Sequence, residues 1–203
     1  MANQRAVSIK ELQSKRFNSM PFDGEFEACF GRPERTGCWI ISGPPANGKT
    51  RLSVRLAKYM TRFGRVAYDS IEEGLSLSLQ KAFIEEGMED VENRIQLLDK
   101  EPIDELVKRI KKQRSPDIMF IDSLQFTFKT YAQLKKIIDE NPRKLFVFIS
   151  HAEGKQPAGR VGKAIEYLAN VKIRVEGFKA FAKSRYGGGE PYTIWEEGAA
   201  RYW

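Results

Sequence analysis

The sequence predicts an α/β fold in which a mostly parallel sheet is flanked by helices and gains antiparallel strands at its C-terminal edge. Three observations predict it. From Cys38 onward, short apolar β-branched runs alternate with longer stretches of helical period, the pattern of parallel strands joined by covering helices. A glycine-rich loop stands between the first of those runs and the first helical stretch. After Val171, alternating segments punctuated by glycines read as consecutive strands joined by tight turns, and such strands pair antiparallel.

Each element can be justified in order. Residues 1–30 form a polar, mixed N-terminal extension, a segment for packing or oligomerisation, and residues 31–203 form the core. Ser8 with Glu11 three places on has capping-box spacing and predicts a short helix. Asn18-Ser-Met-Pro21 has turn chemistry, and Phe22, Phe26 and Phe30 follow at helical spacing as an apolar face for the main body. The strand runs are Cys38–Ser42, Arg65–Asp69, Arg94–Leu98, Asp117–Asp122 and Lys144–Ser150. Between them, Leu52, Leu56, Tyr59, Met60 and Phe63 share one helix face, as do Ile103, Leu106, Val107 and Ile110. A further helix carries Tyr131, Leu134, Ile137 and Ile138, and Asn141-Pro142 stops it. Val171–Glu176, Phe178–Arg185 and Tyr192–Glu197 complete the sheet as three strands.

Composition narrows the class. The 203 residues, 41% hydrophobic and 30% charged, suffice for one domain with a substantial core and are too apolar for disorder. No apolar run approaches the roughly 18 residues of a membrane helix, and Met1–Ser8 lacks the apolar stretch of a secretory signal. Cys29, Cys38 and the single His151 make neither a disulfide framework nor a metal set, so a reducing cytoplasmic setting is expected. Lys and Arg number 34 against 27 Asp and Glu, a net charge of +7 that fits a polyanionic partner without requiring one.

Chemistry concentrates in Gly43-Pro44-Pro45-Ala46-Asn47-Gly48-Lys49-Thr50, a complete G-x-x-x-x-G-K-[ST] loop between a strand and a helix. Glycines let the backbone close on phosphate oxygens, and successive N–H groups converge on the anion at a helix N-terminus. Lys49 can reach the terminal phosphates, and the Thr50 hydroxyl can serve Mg²⁺. Asp122 ends the apolar strand Ile118–Ile121 at the sheet edge where open α/β sheets bind ligands, and it can orient the same Mg²⁺. Taken alone it reads equally as a cap for the next turn; beside a complete phosphate loop the functional reading is the better one.

These elements, with Tyr68-Asp-Ser-Ile-Glu72-Glu73, Ile121-Asp122-Ser-Leu-Gln125 and Ser150-His151, resemble the RecA-type P-loop ATPases, most closely the RadA/Sms branch and the DnaB-type helicase core. The later stretches His151–Arg160 and Lys183-Ser-Arg185-Tyr-Gly187 are similar to that family's loop and K-N-R-[FY]-G motif, and order and spacing agree over roughly residues 35–200. The departures are Ser184 in place of the motif's Asn and the lack of a zinc ribbon or protease-like domain.

The resemblance implies that residues 31–203 are a RecA-like ATPase core that takes ATP and Mg²⁺, with Arg51 joining the phosphate loop at the nucleotide. It implies Glu72 as the water-activating carboxylate, with Glu73 as the alternative register, and Gln125, His151 or Ser150 as γ-phosphate sensors. Lys183 and Arg185, alternating on one strand, would reach a neighbouring subunit's nucleotide in a hexameric ring or filament. Lys155, Arg160 and Lys163 would lie in a loop that binds nucleic acid, preferentially single-stranded DNA. The basic run Lys108–Arg114 reads as a solvated helix face. Two functions follow: a DNA-acting ATPase of recombination, replication or mobile-element processing, or a nucleotide-gated partner-binding switch such as a helicase loader or KaiC-like regulator. The lack of an Arg-rich lid and of an N-K-x-D element disfavours small-molecule kinases and GTPases.

Overall fold

In the computed structural model, which describes residues 6–203, strand β1 (Gly37–Gly43) runs through the middle of the sheet. The first five residues of the N-terminal extension lie outside the described residues. Across the sheet the order is β3 (Ile95–Asp99), β2 (Val66–Ser70), β4 (Ile118–Asp122), β5 (Leu145–Glu153), β1, β7 (Val171–Glu176), β8 (Lys179–Ser184) and β9 (Tyr192–Thr193). Pairing is parallel from β3 through β7 and antiparallel for β7–β8 and β8–β9. A two-residue strand, β6 (Gln156–Pro157), folds back on the end of β5.

Period-two alternation divides the strand residues between two cores. Trp39, Ile41, Tyr68 and Phe120 face α2 (Gly24–Phe30), α3 (Lys49–Met60) and α4 (Leu77–Glu85). Ile40, Ala67, Ile121, Phe146 and Phe148 face α5 (Ile103–Ile110), α6 (Tyr131–Glu140) and α7 (Gly159–Leu168). Both faces of the parallel strands are covered, which is why those strands are apolar throughout.

The N-terminal segment divides in two. Helix α1 (Ile9–Ser14) forms with the expected capping box of Ser8 and Glu11, and all its residues are exposed. Beyond it, Met20 N–H donates to the Pro33 carbonyl at 2.7 Å and Arg35 N–H to the Asn18 carbonyl at 2.9 Å, bridging Ser19 to Glu34. Phe22 then enters the core edge-on to Tyr59 at 4.9 Å and stacks on Phe63 at 5.5 Å. It precedes Asp23, the N-cap of α2, so only Phe26 and Phe30 of the expected apolar face are helical. Asp23 accepts from the Tyr59 hydroxyl and is paired with Arg62, each at 2.8 Å. Each fully buried phenylalanine contributes about 1.5–3 kcal/mol of apolar transfer, so residues 20–30 belong to the core energetically.

One expected strand is shorter than predicted. Only Tyr192–Thr193 pairs with β8, and Glu196–Tyr202 forms helix α8. The alternation ends where Ile194 buries and Trp195 packs edge-on against Phe178 at 5.0 Å, and Glu196 and Glu197 then suit a helix N-terminus. Among the described residues no helix is long and apolar enough to cross a membrane.

Candidate active site

The C-terminal ends of β1, β2, β4 and β5 meet in a cleft of about 380 Å³. Lys49, Thr50, Glu72, Glu73, Asp122 and His151 all line it, together with the phosphate loop residues Gly43, Pro45 and Ala46. A larger apolar groove of about 710 Å³ lies between α4 and the edge strand β3, but it lacks a comparable set of converging charged groups.

The loop is held open by its neighbours. A Cβ on Gly43 would stand 2.3 Å from the Val175 carbonyl oxygen, so β7 tolerates only glycine there. Gly48 (φ 95°) and Ala46 (φ 57°) are left-handed, and for alanine that conformation stores strain. Asn47 ties the loop down: its Nδ2 donates to the Pro45 carbonyl at 2.8 Å, and its Oδ1 accepts from Gly177 N–H at 2.7 Å. No side chain caps α3, which leaves its first N–H groups free for an anion. Lys49 Nζ donates to the Pro44 carbonyl at 2.7 Å; burial lowers its pKa, and Asp122 and Glu72 oppose that shift.

Three acids follow. Asp122 Oδ2 accepts from the Tyr68 hydroxyl at 3.0 Å. Burial raises the Asp122 pKa to about 6 against that bond, with Glu72 and Glu73 adding to the rise and Lys49 opposing it. Glu72 accepts from Ser123 Oγ at 2.6 Å and lies 2.8 Å from His151 Nε2. Glu73 instead accepts from the hydroxyls of Ser76 and Ser78 at 3.0 and 2.8 Å, at the start of α4. The two candidate bases therefore have different surroundings: one shares a carboxylate with an imidazole, the other belongs to a helix cap.

Several expected site residues stand elsewhere. Gln125 is one layer behind the cleft, donating to Ser150 Oγ at 2.8 Å and the Ala158 carbonyl at 3.2 Å and accepting from His151 N–H at 3.3 Å. Arg51 points to α4, paired with Glu86 at 3.1 Å and Glu85 at 3.4 Å, because α3 turns that position away from the loop. Lys183 lies on β8, and Arg185 sits one residue beyond it in an exposed turn, so the two do not share a strand. Neither lines the cleft. Lys155 occupies the turn between β5 and β6, but Arg160 and Lys163 are on α7, not in a loop. The helix forms because Val161, Ile165 and Leu168 recur at helical spacing and pack on the second core, a signal hidden among Gly154, Pro157 and Gly159. Tyr68, Ser123 and Asn47 were not singled out as positioning groups; their partners are distant in sequence.

The donors suit a magnesium ion brought in by a polyphosphate. Thr50 and Asp122 offer a hydroxyl and a carboxylate oxygen in one cleft, and Mg²⁺ characteristically takes one or two protein oxygens plus phosphate and water. Among the described residues no group of three or more His, Cys, Asp or Glu could hold a metal unaided.

No family model and no curated protein matches the chain. Solved structures do. The flagellar accessory protein FlaH from Methanocaldococcus jannaschii aligns with TM-score 0.61 and 17% identity, over 88% of this chain and 95% of that one. A KaiC-like protein from Pyrococcus horikoshii gives 0.60 and 16%, over 87% and 93%. The ATPase domain of a DnaB-type helicase gives 0.55 and 17%, over 77% and 80%. At these identities the likeness is one of fold, and the chain has the RecA-like P-loop fold.

Proposed function

We propose that this RecA-like chain binds and hydrolyses ATP with Mg²⁺ in the cleft and couples turnover to work on DNA. The observation that carries the reading is the convergence of a complete phosphate loop, Asp122 and Glu72 in a single cleft. In this scheme the loop N–H groups and Lys49 hold the terminal phosphates. Thr50 and Asp122 hold Mg²⁺, which when bound neutralises charge on the phosphate oxygens. Glu72 orients the attacking water and accepts its proton, and His151, already sharing that carboxylate, exchanges partners with the γ-phosphate.

Lys183 and Arg185 lie outside this cleft, so a part for them in catalysis requires a second copy whose nucleotide they approach, as in a ring or filament. A net charge of +7 and the cations Lys155, Arg160 and Lys163 beside the sensor strand support nucleic acid, single-stranded DNA above all, as the partner. The two buried thiols, Cys29 and Cys38, each pushed up to about 12, suit the cytoplasm. The apolar groove beside α4, with Leu77 and Ile84 exposed, favours a second reading, a nucleotide-gated partner-binding switch.

The test is ATP binding and turnover by the wild type and Lys49→Ala, with and without single-stranded DNA, double-stranded DNA and RNA. The variant should lose tight binding and turnover while unfolding at the same temperature; unchanged turnover would remove the reading. Stimulation by single-stranded DNA supports the DNA-acting enzyme, and slow, unstimulated turnover supports the switch.

A further inference from the structure

The outer face of the β7–β8 hairpin carries an arrangement that sheet stability alone opposes. Lys172 on β7 and Lys183 on β8 stand directly opposite each other, and Arg174 with Phe181 forms the next pair on the same face. Like charges directly opposite in an antiparallel pair are destabilising. Lys155, from the turn between β5 and β6, closes the group into a cleft of about 300 Å³, with Glu166 the acid on its lining. Arg174 is occupied: it pairs with Glu176 and lies over the Phe181 ring at 4.6 Å. Among the described residues Lys155, Lys172 and Lys183 make no ion pair, so the cleft holds positive charge without a fixed counter-charge.

A stacking surface adjoins it. Tyr167 on α7 is 80% exposed, and Lys172 Nζ stands 5.8 Å from its ring centre. Arg160, Lys163 and Tyr167 fall at i, i+3 and i+7, one stripe of α7, so cations, an open aromatic ring and the lysine-lined cleft succeed one another across the surface. Lys163 is partly engaged, 3.6 Å from Glu153. Cations tracking a phosphate chain beside an exposed ring are the two components of single-strand recognition, because an unpaired base can lie on the ring while its phosphates meet the lysines.

We propose that Lys155, Lys172, Arg174 and Lys183 form a phosphate-binding subsite for single-stranded nucleic acid, with Tyr167 stacking on a base. The site rests on the nucleic-acid part of the function proposed above and gives it a location, on the hairpin face outside the ATP cleft.

Fluorescence anisotropy of a labelled single-stranded oligothymidylate, titrated with the full chain over a series of salt concentrations, tests it. Lys172→Ala should lower the slope of log affinity against log salt by about 0.7, one phosphate contact. Tyr167→Ala should weaken binding about tenfold with the slope unchanged, the mark of lost stacking and not lost charge. Lys136→Ala, an equal charge change on exposed α6, should bind like the wild type, and thermal unfolding checks that each variant folds. ATPγS binding measured in parallel should be the same in wild type, Lys172→Ala and Tyr167→Ala. A tight wild-type complex that neither Lys172→Ala nor Tyr167→Ala weakens overturns this site and leaves nucleic-acid binding standing. Weakened ATPγS binding with unchanged oligonucleotide binding reassigns the cleft to nucleotide phosphates. A wild type that binds no oligonucleotide overturns both this site and the DNA-acting reading.

Discussion

Asp69→Asn should remove most of the pH dependence that one buried carboxyl imposes on stability. Asp69 is fully buried on β2; its Oδ1 accepts from Glu101 N–H at 3.2 Å, while Oδ2 has no hydrogen-bond partner. Burial raises its pKa to about 7; the Glu101 N–H bond and Arg109 oppose the rise, and Glu101 and Asp99 add to it. In the unfolded chain the same group titrates near 3.9. Below that value both states hold the proton and stability is complete. Between there and about pH 7 the unfolded chain loses its proton first, so stability falls as pH rises, and above the folded value the loss is constant. At about 1.4 kcal/mol per pH unit, the loss between pH 5 and pH 8.5 is about 3 kcal/mol. Asparagine keeps the Oδ1 acceptor and cannot ionise. Urea unfolding of both proteins at several pH values isolates the effect, because other titrations cancel in the difference. The variant should gain about 3 kcal/mol on the wild type between pH 5 and pH 8.5. A difference that does not change with pH would refute the reasoning, and a gain in the opposite direction would mean that the folded carboxyl is stabilised as an anion.

Three further outcomes are expected at the ATP cleft. Glu72→Gln should bind ATP with near wild-type affinity and hydrolyse it at least about a hundredfold more slowly in single-turnover assays, since an amide accepts no proton. Glu73→Gln should lose much less, because that carboxylate is taken up by Ser76 and Ser78; if Glu73→Gln alone is inactive, the assignment moves by one residue. Specific activity should rise with protein concentration, and mixing Arg185→Ala with Lys49→Ala should restore part of it once subunit exchange has been demonstrated by labelling. Concentration-independent turnover by a verified monomer would end the inter-subunit reading.

The parallel strands were legible because a strand buried on both faces must be apolar along its whole length, as Ile118–Ile121 and Leu145–Ser150 are. The phosphate loop was legible because its residues are contiguous. What escaped depends on partners far apart in the chain. Glu72 and His151 are 79 residues apart and meet only through the order β2–β4–β5, and no spacing rule reports that. The α7 helix was hidden because turn formers cluster at its entry, which led Arg160 and Lys163 to be read as loop residues. Arg51 followed the motif in sequence but not in space, since the helical twist turns it to Glu86. At the C-terminus, alternation over Tyr192–Glu197 looked like a strand until the packing of Trp195 ended it.

The backbone stitching of Asn18–Met20 to Pro33–Arg35 has a practical consequence for anyone who divides this chain. A fragment cut at residue 31 would discard Met20, Phe22 and Phe30 and leave Trp39 and Tyr59 facing water where their aromatic neighbours had been. Losing one buried phenylalanine side chain costs about 3–5 kcal/mol, a large share of the stability of an ordinary domain, so such a fragment should aggregate. A fragment beginning at Asn18 keeps the whole ring stack. Residues 6–17 contribute little to it, which makes helix α1 the place to attach an affinity tag or a fluorophore without disturbing the protein beneath.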